Sequence, residues 1–251
     1  MLLPLLLLLA APRLVSACVD ESGEAVDWFV AFKAPNGESY AGLSRGSRSL
    51  TTHPSLTKGA VGNTLNALYG GGATSGYVMY NDEPPDEHCG GSAKSCSAAW
   101  AHQKGVVYAA PGGAGGWLLV HSVPRFPAAP PEKHFEYPSN ERIYGQSFLC
   151  LSLSQAMLDE VGGLLAVSRP FVYASSLPGS LATDMPRLAK AAQNPKASAT
   201  TSSVKTLRTK GGASFSALMK GHLWGKDLYE ELVAPQVLEL AEEGSSLPFD
   251  S

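Results

Sequence analysis

Residues 105–121 read G-V-V-Y-A-A-P-G-G-A-G-G-W-L-L-V-H, and their reading decides the fold. Gly105–Ala109 and Trp117–His121 are rich in β-branched, aromatic and aliphatic residues, which suit a pleated, half-buried surface. Pro111–Gly116 between them is a turn, since glycine supplies the positive φ that tight turns demand. Strand, glycine-rich turn, strand is a hairpin signal. The glycine run is not a phosphate loop. It lacks a G-K-[ST] ending and joins two strands, where a phosphate loop joins a strand to a helix.

Further strands flank this hairpin. Asp27–Lys33, Gly76–Tyr80, Ser147–Ser152 and Ala213–Met219 read as strands, with Pro35-Asn36-Gly37 as a turn. Val61–Tyr69 predicts a short helix stopped by three glycines. Ser154 caps a helix from Gln155 to about Val161. Met185–Gln193 is amphipathic and predicts a helix, as does 227–243, interrupted at Pro235. Residues 41–59, 122–140 and 194–203 read as loops. Strands and helices alternate irregularly, without an internal repeat. The expected fold class is α/β, a mixed-sheet sandwich.

The chain opens M-L-L-P-L-L-L-L-L-A-A-P-R-L-V-S-A-C. Its apolar run is too short to span a bilayer, and Val15-Ser16-Ala17 has the small-residue pattern of a signal-peptidase site. Residues 1–17 are therefore expected to be a signal peptide and 18–251 one domain, with no membrane segment in the mature form. That places the protein in the secretory pathway, where cysteines pair. Spacing allows three pairings of Cys18, Cys89, Cys96 and Cys150. Cys89 and Cys96 bracket a short loop and are easy partners; Cys18 with Cys150 would then staple the mature N-terminus to an interior strand. A zinc site lacks C-x-x-C spacing. Without Arg13 the chain has 18 basic against 22 acidic residues, a formal charge of −4; protonating the six histidines turns it to +2. A polyanion is thus repelled at neutral pH and attracted in acid.

Just before the hairpin stands W-A-H-Q-K-G, residues 100–105. Residues i and i+2 of a strand share a face, so His102 and Lys104 can present an imidazole beside an ammonium. That pair suits attack on a phosphate ester. By itself His-x-Lys is a weak signal, equally compatible with a solvated strand start.

The neighbours are specific. V-D-W-F-V at 26–30, G-A-V-G at 59–62, Y-N-D-E-P-P at 80–85, H-Q-K-G-V at 102–106, W-L-L-V-H-S-V-P-R-F-P at 117–127 and Y-G-Q-S-F-L-C at 144–150 occur in that order, followed by K-D-L-Y at 226–229. Together they resemble the deoxyribonuclease II family, the acid deoxyribonucleases of lysosomes and secretions. The resemblance implies a fold like the phospholipase D superfamily, with two similar halves that each give one His-x-Lys to a shared site. It implies metal-free cleavage of double-stranded DNA at acidic pH, without sequence specificity or cofactor, leaving 3′-phosphate ends. His102 and Lys104 match the first catalytic motif, and Cys18 and Cys150 match the family's N-terminal disulfide. His121 and Arg125 are candidate substrate-binding residues. One imidazole would attack phosphorus or protonate the leaving oxygen, another would do the complementary task, and lysines would hold the non-bridging oxygens. No carboxylate cluster has metal-ligand spacing.

One departure stands out. None of His53, His88, His121, His134 or His222 is followed by a lysine two residues on. The second half of the fold is therefore expected to be incomplete. Three readings follow: an acid endonuclease by descent, an inactive secreted protein that binds DNA or a partner, or a homodimer in which two chains each lend His102 and Lys104.

Overall fold

The computed structural model describes residues 16–85, 88, 100–130, 135–195 and 199–245. β1 (Cys18–Val19) and β2 (Ala25–Val26) form a small hairpin. β3 (Trp28–Lys33), β4 (Tyr40–Ser44) and β5 (Thr51–His53) precede α1 (Ala60–Gly70). β6 (Gly76–Asn81), β7 (Lys104–Ala109), β8 (Gly116–His121) and β9 (Gln146–Leu153) follow, then α2 (Gln155–Ser168) and β10 (Val172–Ser176). Two short helices, α3 (Gly179–Asp184) and α4 (Pro186–Ala191), lead to the hairpin of β11 (Ser202–Arg208) and β12 (Ser214–Lys220). A π-helical turn, Tyr229–Val233, runs into α5 (Ala234–Ser245).

Eight strands make one sheet in the order β10-β6-β7-β8-β9-β3-β4-β5. The 105–121 stretch is the hairpin expected, at the middle of that sheet. Its turn places Gly112, Gly113 and Gly115 at φ of 70°, 74° and 73°, which a side chain would strain.

Alternation along the strands fills two cores. Met79, Val106, Leu119 and Cys150 face one side, with α1 and Phe126, Phe135 and Tyr137 of the long loop after β8. Val78, Val107, Leu118 and Leu151 face the other, against α2 and α4. The molecule is therefore three layers deep, with both sheet faces covered.

Several expectations need correction. The sheet is not mixed: every strand pairing among the described residues is antiparallel. Residues 41–59 are not all loop, because β4 and β5 extend the sheet edge by pairing with β3 and with each other. That backbone pairing does not require apolar side chains. β11 likewise begins inside the 194–203 segment. The helix after Ser154 does not stop near Val161 but runs to Ser168, through Gly162-Gly163. Gly162 is there for space, since a Cβ would strike the Leu188 backbone of α4.

Candidate active site

The site lies at the end of the sheet where β6 and β8 finish and β7 and β9 begin. Asn81, the last residue of β6, pairs in register with Lys104, the first of β7. The buried Asn81 amide then ties two departing chains together. Its Nδ2 donates to the carbonyls of Val123 (3.1 Å) and Phe126 (3.0 Å), and its Oδ1 accepts from the Glu83 amide at 2.8 Å. This fixes Asp82 and Glu83 beside the loop that leaves β8.

Asp82 joins the His-x-Lys pair. Its Oδ2 lies 2.6 Å from His102 Nδ1, and its Oδ1 accepts from Lys104 Nζ at 2.6 Å. Glu83 Oε2 lies 3.0 Å from the same ammonium. The Lys104 and Asp82 side chains are 4% and 5% exposed, whereas His102 is 82% exposed. A carboxylate can only accept, so Nδ1 carries the proton, and in the neutral ring Nε2 keeps the lone pair. The result is an oriented imidazole above a buried, neutralised ammonium.

Asp82, Glu83 and His102 offer three ligand atoms within 4.8 Å of one another, a carboxylate cluster that sequence spacing did not show. Lys104 already places its cationic head within 2.6 and 3.0 Å of the two carboxylates. The donor set is thus built around an ammonium.

His121, at the end of β8, is 6% exposed. Its Nδ1 accepts from the Val123 amide at 3.2 Å, its Nε2 is buried without a hydrogen-bond partner among the described residues, and its ring meets Phe126 edge-on. Burial, with the Lys104 ammonium adding to it, pushes its pKa down to about 3. It is a neutral wedge that faces the lysine and does not titrate at the pH of the proposed chemistry.

Arg125 stands in the left-handed region at φ 53°, held by its amide donating to the Glu83 carbonyl at 2.7 Å. Its guanidinium reaches Glu141 at 3.4 Å. His102, Lys104, Arg125, Glu141 and Tyr144 line one cavity of about 520 Å3. A second cavity, of about 260 Å3, is lined by His102 with Trp100, Arg169, Lys220 and His222.

Sequence reasoning paired His102 with Lys104, and the structure joins them through Asp82. It named Arg125, which shares their larger cavity, and His121, which shares a smaller one of about 260 Å3 with both. Cys18 is bonded to Cys150. Cys89 and Cys96 lie outside the described residues. Asp82, Glu83, Glu141 and His222 were missed as site residues. The one available signal was the acidic pair inside Y-N-D-E-P-P, but no periodicity links 82 to 102. Cross-strand register does.

The family profile described as Deoxyribonuclease II matches residues 17–239. The chain belongs to the deoxyribonuclease II family. It is 34% identical to Deoxyribonuclease-2 of Caenorhabditis elegans, with 93% of this chain and 72% of that protein covered. It is 34% identical to Deoxyribonuclease-2-alpha of Rattus norvegicus, covering 92% and 70%. Plancitoxin-1 of Acanthaster planci is 29% identical, covering 87% and 63%. Asp82, His102, Lys104 and Arg125 all lie inside the deoxyribonuclease II match.

Proposed function

We propose that this chain is an endonuclease that hydrolyses DNA phosphodiester bonds at acidic pH, without a metal ion, and leaves 3′-phosphate ends. The observation that carries this reading is the Asp82-held imidazole of His102, exposed beside the buried Lys104, in a chain of the deoxyribonuclease II family.

The geometry supports the following chemistry. His102 Nε2 attacks phosphorus and the bond from phosphorus to the 5′ oxygen breaks, leaving the phosphoryl group on nitrogen. Water then cleaves the P–N bond, and the phosphate stays on the 3′ oxygen. Asp82 keeps the imidazole in the required tautomer and stabilises the charge that it acquires. Lys104 offsets the negative charge of Asp82 and Glu83 beside the phosphate. The departing 5′ oxygen needs a proton from a second acid. A two-fold pair of chains would bring a second His102 to the same phosphate. The two-halved arrangement of the phospholipase D superfamily is the architecture inferred for such a site.

Double-stranded DNA is the inferred substrate, bound through its phosphates and without sequence preference. The compartment inferred is the secretory pathway, ending in the lysosome or outside the cell; the Cys18–Cys150 bridge supports an oxidising one. A second reading, binding without cleavage, is favoured by one observation: the 251 residues hold a single His-x-Lys.

End-group analysis tests the bond broken. Products should resist extension by a polymerase until a phosphatase removes the 3′ phosphate. Products extended directly would contradict the proposed route.

A further inference from the structure

The cavity of about 520 Å3 holds chemistry that the Asp82–His102–Lys104 group does not use. Its volume falls within the roughly 300–1,000 Å3 of ligand-sized clefts. Arg125 and Glu141 line it together. The Glu141 side chain is 4% exposed, against 38% for Arg125. Glu141 Oε1 accepts from Arg125 Nη1 at 3.4 Å, a long bond, and Oε2 is buried with no hydrogen-bond partner among the described residues. A buried carboxylate oxygen without a donor is costly when charged.

Burial therefore raises the Glu141 pKa above its ordinary value. Arg125 and Lys104 oppose that rise and Glu83 adds to it. Two further groups face Glu141: Tyr137 from its own loop and Lys33 from β3. The Lys33 ammonium is already spent on the carbonyls of Ala34, Gly37 and Arg142, at 2.8 to 3.0 Å. His102 lines the same cavity.

Building on the nuclease reading above, we infer that this cavity binds the DNA phosphate neighbouring the scissile one, with Arg125 as its ligand and Glu141 as the carboxylate that competes for Arg125. At neutral pH Glu141 holds the guanidinium and repels the incoming phosphate. Acid protonates Glu141 and removes that negative charge from beside Arg125 and from the path of the phosphate. The left-handed backbone at Arg125, fixed by the Glu83 carbonyl and flanked by the Asn81 clamp, aims the side chain at this wall. Acid dependence of substrate binding is thereby built into a pair of residues separate from the reacting imidazole.

The test uses the full chain carrying His102→Ala, introduced to block cutting, and a short fluorescent DNA duplex read by anisotropy at pH 7 and pH 5. Adding Glu141→Gln should tighten binding at pH 7 roughly tenfold, the worth of one bond to a charged group, and change little at pH 5. Adding Arg125→Ala should weaken binding at pH 5 by a similar factor. With Arg125 already removed, Glu141→Gln should have less than a threefold effect. A Glu141→Gln protein within twofold of its parent at pH 7 overturns the gate. An Arg125→Ala protein within twofold at pH 5 overturns the subsite, and this surface variant decides even if the buried one folds poorly. Cleavage by the unmodified chain is scored separately. Persistent cleavage with a failed Arg125 arm removes the subsite and leaves the nuclease standing.

Discussion

At the scale of single residues, Asp82 organises the site. It is buried, and it meets both members of the His-x-Lys pair, one through each oxygen. Asp82→Asn keeps the shape but turns one acceptor into a donor that faces either an ammonium or an N–H. Cleavage should fall at least about 100-fold, in the range seen for loss of one acid–base group. A loss under threefold, by initial rate of plasmid nicking, would contradict the role. His121 illustrates the opposite case. Its folded-state pKa, about 3, lies below the ordinary 6.5, so the stability it contributes is complete above pH 6.5 and drains away as pH falls toward 3. Between pH 6.5 and 5 the loss is about 2 kcal/mol. His121→Asn retains an acceptor for Val123 and should flatten this stretch of the stability curve, read from urea midpoints at the two pH values. An unchanged slope would show that His121 is not the titrating group. The sequence showed where both histidines stand in their motifs. It could not show that one is 82% exposed and the other sealed under Phe126. Burial is set by the loop that returns over β8, and that loop has no periodicity to read.

At the scale of elements, what was legible had a pattern. The 105–121 hairpin, α1 and the Ser154 cap each carry a local signal: two apolar β-forming runs around a glycine turn, a glycine stop and an oxygen that accepts from the Met157 amide. β4 and β5 have no such signal, and they exist because β3 offers them a free edge. Glycine is a poor helix former, yet α2 runs on through Gly162-Gly163, where the close approach of α4 leaves no room for a side chain at Gly162. The Cys18–Cys150 bridge ties β1 to β9 across 132 residues. Closing so long a loop restricts the unfolded chain strongly. Replacing both cysteines with alanine should cost about 2–5 kcal/mol, measured as a shift in the urea midpoint. An unchanged midpoint would mean that the β1–β9 packing holds without the bond.

At the scale of the whole molecule, the proposed function turns on charge. Protonating the five histidines other than His121, whose pKa burial holds at about 3, moves the formal charge of residues 18–251 from −4 to +1, which favours a polyanion in acid. The fold concentrates this effect at one end of the sheet, where Asp82, Glu83 and Glu141 interleave with His102, Lys104 and Arg125. Sequence motifs located that end; sheet topology explains why residues from 82 to 141 meet there. The central claim is that His102, held by Asp82, performs metal-free phosphodiester cleavage. The direct test is plasmid nicking at pH 5 in excess EDTA by the oxidised protein, alongside His102→Ala. The account predicts nicking that persists in EDTA and disappears in the variant, and the native mass of the active preparation would then show whether two chains share the site. Nicking abolished by EDTA, or retained by folded His102→Ala, would contradict it.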